Sequence, residues 1–164
     1  MRGKLRIGLH RDVEITDPDL RVAKEPDESA TNSPPEQQGE LFYVEDRRPC
    51  VEDRRPCVSQ ALCSALPVAY TPIDASRWAP FARLVLEAAY EATMLAAIEN
   101  AMSGASNVVL LTQLGGGAFG NRDNWIYDAT RRALTLFSDA SLEVRLVSYS
   151  RPSQTLLDLA RDFE

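Results

Sequence analysis

The chain has 164 residues, enough for one domain with a sizeable core. With 45% hydrophobic residues, no apolar run of membrane-span length and no signal-peptide core in MRGKLRIGLHRD, it reads as soluble and cytoplasmic, or otherwise intracellular, with no membrane partner. A formal net charge of −6 argues against a general nucleic-acid binder.

Residues 1–16 contain an N-terminal strand: Leu5, Ile7 and Leu9 alternate, as do Val13 and Ile15. Residues 17–56 lose this period. The stretch DPDLRVAKEPDESATNSPPEQQGE is rich in Pro, Asp, Glu and Ser, cannot bury enough apolar surface to order itself, and is expected to be a disordered loop. LFYV, 41–44, is a candidate short strand. VEDRRPC at 44–50 is then repeated at once at 51–57. Its seven-residue period suggests a coiled coil, but a proline in each unit excludes one, and two copies are too few for a solenoid. The repeat reads as a duplication in a surface loop; the functional alternative is an anion patch of Arg47, Arg48, Arg54 and Arg55, offset by neighbouring carboxylates.

The cysteines, Cys50, Cys57 and Cys63, are odd in number and two come from the repeat, so no disulfide framework is expected. Their spacing has no C-x-x-C pair, and His10 is the only histidine, so no metal site is expected either.

From residue 57 to 150 the pattern sharpens into a core. CVSQALCSAL reads as a strand ending at Pro67. A long helix follows from about Arg77 to Met102, with Ser76 as N-cap and with Phe81, Leu84, Val85, Ala88, Ala89, Ala92, Leu95, Ala96 and Ile98 on its inner face. Gly104 stops it. NVVLLTQL, 107–114, is a continuous apolar run, the mark of a parallel strand buried on both faces. A second helix is expected over Asp123–Ser138, with Trp125, Ile126, Ala129, Ala133, Leu134 and Phe137 inward. LEVRLVSY, 142–149, is a last strand, and the tail 151–164 contains a short helical pattern. Strand, helix, strand, helix, strand predicts an α/β fold with a mostly parallel sheet and helices on its faces.

Between strand and second helix lies Leu114-GGGAFGN-Arg122. Glycines in a row lose more conformational freedom on folding than other residues, so they call for a reason. One reason is positive φ in a tight turn that binds nothing. The other is close approach of an anion: the amides of Gly115, Gly116, Gly117, Ala118, Phe119, Gly120 and Asn121, with the first N–H groups of the following helix, could cradle a diphosphate at the carboxyl end of the strand. Gly115-x-Gly117-x-x-Gly120 fits the dinucleotide fingerprint formally, but only one strand follows it. The acidic residue expected at that strand's end is also absent, Glu143 lying at its start. No Lys-Ser or Lys-Thr follows the glycines, which excludes a Walker loop.

Residues 57–150 resemble the C-terminal half of a macro domain, the ADP-ribose-binding module. CVSQALCSALPVAY is similar to its strand ending in a Gly/Ala-x-Pro turn. LVLEAAYEATMLAAIENA is similar to its next helix, with Leu86, Tyr90, Met94 and Ala97 in the family's pattern. NVVLLTQLGGGAFGNRDNWIYDA is similar to its strand and phosphate loop, and the ending F-G-N looks most like the microbial poly(ADP-ribose) glycohydrolase-like branch. The resemblance implies a three-layer α/β/α fold, incomplete at its N-terminus, in which Gly115–Asn121 wrap the diphosphate and distal ribose of ADP-ribose and Tyr149 lies near the base. It implies no further cofactor. The Gln-Glu-Glu that carries acid–base work in these glycohydrolases is not found, so the catalytic residues are unknown and binding without hydrolysis is expected.

Other residues read as structural. His10 has no partner in view, and Cys63 reads as a packing residue without a base. Asp123 and Asn124 read as helix caps, Trp78 and Trp125 as core or rim aromatics, and Asp128, Arg131 and Arg132 as a solvated face. Arg122 points either to a phosphate or to solvent. The second functional reading is a non-catalytic remnant or interaction module that binds no nucleotide, self-associating through an exposed sheet edge.

Overall fold

The computed structural model describes residues 7–14 and 57–163. The chain divides into two compact units, 1–11 with 59–164, and 12–58. The account below concerns the first. The acidic segment, LFYV and the repeat up to Pro56 lie outside the described residues.

Among the described residues the strands and α-helices follow the order read from the sequence: β1 (Gly8–Glu14), β2 (Cys57–Leu62), α1 (Ala75–Met102), β3 (Val108–Thr112), α2 (Asp123–Leu136), β4 (Glu143–Val147) and α3 (Gln154–Arg161). The class is a small α/β fold. α1 is capped by Asp74, whose carboxylate accepts from the Ser76 amide at 2.8 Å, so Ser76 is the donor in the cap rather than the cap itself. The helix ends two residues before Gly104, which has φ +87°.

β3 and β4 pair in parallel, with Val109 beside Val144 and Leu111 beside Leu146. β2 does not extend this sheet, contrary to the single sheet expected. Its sheet neighbour is β1, and the described strands form two sheets of two. Past the strands, no backbone hydrogen bond joins the segment after β2 to the loop after β3 among the described residues. The side-chain amide of Asn121 bridges them instead, donating to the carbonyls of Leu66 at 2.8 Å and Gly115 at 3.1 Å.

β3 is not buried on both faces either. Val109 and Leu111 face the core, whereas Leu110 between them is 53% exposed. A continuous apolar run does not reveal how many of its faces are covered. The covered face packs on Leu86, Tyr90 and Met94 of α1, on Trp125, Ile126, Ala129 and Ala133 of α2, and on Leu159 of α3. α1 buries Ala82, Leu86, Tyr90 and Met94 in this core, and Ala88 and Ala89 are buried as expected, while Phe81 and Leu95, also expected inside, are 46% and 57% exposed. α1 is apolar on most sides, so its periodicity alone did not select the buried stripe.

α1 and α2 run side by side in the same direction. Arg83 meets Asp128 at 3.1 Å, and further along both helices Arg132 meets Glu91 at 2.8 Å and Glu87 at 3.7 Å. Asp128 and Arg132 thus pair with α1 and Arg131 reaches Asp162 at 2.6 Å, while all three side chains stay in contact with solvent, as expected of this face. These half-exposed pairs stabilise by about 1 kcal/mol or less each. Their value here is geometric: the two helix N-termini lie at one end of the layer.

Candidate functional site

The end where α1 and α2 begin is also where β3 ends and the glycine loop starts. Tyr90 builds the floor of this end. Its hydroxyl donates to the Thr112 carbonyl at 2.7 Å and accepts from the Leu114 amide at 3.0 Å, fixing the exit of β3. Burial pushes the Tyr90 phenol above its ordinary range, against the smaller opposing effects of Thr130 and of the Leu114 amide.

The loop itself is a turn and one 3-10 turn, Gly117–Phe119, closed by Gly120 in the left-handed region. Gly115 and Gly120 have packing reasons to lack side chains. A Cβ on Gly115 would lie 2.2 Å from Ala65 Cβ and 2.8 Å from Asn121 Nδ2, and one on Gly120 would lie 2.8 Å from Ala69 Cβ. Both also have positive φ, +78° and +71°. The loop is therefore pressed against the segment that follows β2. Gly117 has φ +60° but open space where a Cβ would go. Gly116 has neither constraint: its φ is −67° and its nearest neighbours, Gln113 O at 3.4 Å and Ile126 Cδ1 at 3.6 Å, are in ordinary contact.

The loop donors divide into two sets. The amides of Gly116, Gly120 and Asn121 are bonded within the loop, to Gln113 at 3.2 Å, Gly117 at 3.0 Å and Gly115 at 3.1 Å. The expectation that every amide from Gly115 to Asn121 faces a ligand is corrected to that extent. The amides of Gly115, Gly117 and Ala118 have no acceptor among the described residues, whereas that of Phe119 belongs to the i→i+3 bonding of the 3-10 turn. Those of Asp123 and Asn124, which open α2, are also without one. α2 is capped by Arg122 with no side-chain hydrogen bond, so neither Asp123 nor Asn124 caps it as expected.

Around these donors, Arg122 is exposed and lies 5.6 Å from the Trp125 ring centroid. Its charge helps hold the Asp74 carboxyl below its usual range, after the larger effect of the Ser76 hydrogen bonds. Phe119 meets Tyr70 edge to face, with centroids 6.1 Å apart. Asn121 is 4% exposed, and while its Nδ2 donates twice, its Oδ1 is buried without a partner. Tyr149 lies two residues past the end of β4, level with the loop by the β3–β4 register, and is wholly exposed.

A cleft of about 200 Å³ adjoins the loop, lined by Leu66, Pro67, Val68, Tyr70, Thr71 and Trp78. The indole N–H of Trp78 is buried and has no hydrogen-bond partner. Sequence reasoning took Trp78 for a core or rim aromatic and passed over Tyr70; two prolines bracketing an aromatic, Pro67 and Pro72, were the available signal.

Away from this end, Cys63 is a free, half-buried thiol 3.6 Å from Thr93 Oγ1, and His10 is exposed on β1. Cys57 is disulfide-bonded. Among the described residues no group of three or more His, Cys, Asp or Glu is placed to hold a metal ion, and no helix is long and apolar enough to cross a membrane. Compared with protein-family models, curated proteins and solved structures, the chain finds no match.

Proposed function

We propose that the chain binds ADP-ribose or a related nucleotide diphosphate through the GGGAFGN loop, as a three-layer, macro domain-like module without hydrolase activity of its own. The observation that carries this reading is the set of unbonded amides at Gly115, Gly117, Ala118, Asp123 and Asn124, the last two at a helix N-terminus whose cap, Arg122, makes no side-chain hydrogen bond. Such a group of N–H dipoles favours an anion. Arg122 adds a full positive charge at the same place, while Asp123, in the first turn of α2, opposes it. Charge alone is therefore close to balanced, and the backbone donors supply the selectivity for a pyrophosphate.

Titration calorimetry with ADP-ribose tests the reading, with Gly116→Glu as the control. Gly116 has negative φ and room for a Cβ, so a glutamate there adds a negative charge to the loop without left-handed strain, and a folding check by circular dichroism accompanies the titration. Saturable binding lost in Gly116→Glu supports the proposal; no heat at millimolar ligand with folded protein contradicts it.

The second reading, a module that binds no nucleotide, is favoured by one observation. Gly115 and Gly120 are each accounted for by close packing on Ala65 and Ala69, without any ligand. The exposed outer face of β3 at Leu110 offers such a module a contact surface.

A further inference from the structure

β4 pairs with β3 on one side, and among the described residues no strand pairs with it on the other. In a parallel ladder, alternate residues of a strand direct their N–H and C=O groups to the same neighbour. The Glu143 amide donates to the Asn107 carbonyl at 3.0 Å, so Glu143, Arg145 and Val147 bond toward β3. Val144 and Leu146 direct their backbone groups the opposite way. An open edge of this kind is a template for another strand.

The side chains alternate with the backbone. Leu142, Val144 and Leu146 pack, partly buried, on the core. Glu143 and Arg145 share the other face of the sheet, where Arg145 Nε donates to Glu143 Oε1 at 2.7 Å and both side chains meet solvent.

The segment Leu142-Glu143-Val144-Arg145-Leu146 is complementary to its own reverse: apolar, acidic, apolar, basic, apolar. In an antiparallel pair of copies with Val144 opposite Val144 on the two-fold axis, Leu142 lies opposite Leu146 and Glu143 opposite Arg145. The Val144 amide of each copy then donates to the Val144 carbonyl of the other, and the Leu146 amide to the Leu142 carbonyl. The Leu142 amide takes no part, being bonded to the Ala140 carbonyl at 2.7 Å. The Glu143–Arg145 pairs of the two copies join into a ring of alternating charges. Neighbouring registers fail. A slip of one residue sets the charged positions against the apolar face. A slip of two sets Arg145 opposite Arg145, or Glu143 opposite Glu143, and like charges repel.

We propose that two copies of the chain associate through antiparallel pairing of their β4 edges, in the register that places Val144 on the two-fold axis and Glu143 opposite Arg145. The β3–β4 sheets of the two copies then form one continuous sheet. The pairing does not involve the glycine loop and holds under either reading of it.

Sedimentation equilibrium of the intact chain, from about 5 µM to about 500 µM, measures the association. The proposal expects the mass to rise toward twice that of one chain. Glu143→Arg and Arg145→Glu each bring like charges together across the axis, and each should weaken association about tenfold or more. Mixed in equal amounts, these two variants carry opposite charges, and association should return to within about 3-fold of the wild type. Recovery on mixing cannot arise within one chain, so it separates pairing from a change in folding. Both substituted side chains are half-exposed, and circular dichroism checks the fold of each variant. Hydrogen exchange of the wild type gives a readout free of substitutions: the Val144 and Leu146 amides should exchange more slowly as concentration rises over the same range. A wild type that stays monomeric throughout, an association indifferent to both charge reversals, or one not restored by mixing overturns the proposal. If the variants do not fold, unchanged exchange at Val144 and Leu146 overturns it.

Discussion

Gly115 and Ala65 stand so close that a Cβ on the first would lie 2.2 Å from the Cβ of the second. Real Cβ atoms do not approach one another so closely, and the glycine also has φ +78°. The relationship ties the exit of β3 to the segment after β2 and separates two explanations for the glycines. Gly115 and Gly120 serve the fold, whereas Gly116 has no such duty.

The glycines should therefore differ in stability cost. Gly115→Ala and Gly120→Ala should each cost about 2–4 kcal/mol, from overpacking plus left-handed strain. Gly117→Ala, with open space but φ +60°, should cost about 1 kcal/mol. Gly116→Ala should fall within about 0.5 kcal/mol of wild type. Denaturant unfolding of the four variants checks the order. A destabilisation by Gly116→Ala as large as that of Gly115→Ala would contradict it.

Tyr90→Phe removes both hydroxyl bonds at the end of β3 and should cost about 1–3 kcal/mol. Its pH dependence has a definite sign. The folded phenol is pushed up by burial, so it holds its proton more tightly than the unfolded chain does. Its contribution is fully present below the unfolded value, about 10, and is lost as pH rises through the folded value. Unfolding free energy measured on the alkaline side of about pH 10 should fall for wild type through this group. Tyr90→Phe should lack that part of the slope.

The element order was legible in the sequence because period and punctuation agree there: Gly104 and the glycine run lie at real ends, while the start of α1 was read two residues late, with Ser76 in place of Asp74 as its cap. The faces were less legible. VVLLT carries no mark that Leu110 is outside and Leu111 inside, because the difference lies in what covers the sheet. The same holds for α1, whose many alanines blur its stripe. The loop's position was readable, but not the split between its bonded and open amides. That split follows from Gly117 and Gly120 adopting positive φ and turning the chain back on itself. Nor could spacing reveal Trp78 beside the loop, since 37 residues separate it from Gly115 and only the packing of the post-β2 segment joins them.

Asn121 joins the two strand ends through its Nδ2 while 4% exposed. Asn121→Ala should cost about 1–3 kcal/mol by leaving two carbonyls without this donor. Asn121→Asp should be worse, because a buried carboxylate would then face those same carbonyl oxygens. Thermal melts of the two variants should rank Asp below Ala; the reverse order would show that the side-chain amide is not the link.

The one-sided cover of β3 has its own test. Leu111→Ala should cost about 2–5 kcal/mol, whereas Leu110→Ser should stay within about 0.5 kcal/mol. A large cost for Leu110→Ser, or a concentration-dependent melt abolished by it, would mean that another surface covers that face.

The most direct measurement concerns the amides themselves. Backbone nitrogen–proton spectra recorded during a pyrophosphate titration report each donor separately. The account predicts the largest movements at Gly115, Gly117, Ala118, Asp123 and Asn124, with Gly116, Gly120 and Asn121 moving little because their protons are already bonded. No movement at those five amides at millimolar pyrophosphate, with the protein folded, would contradict it.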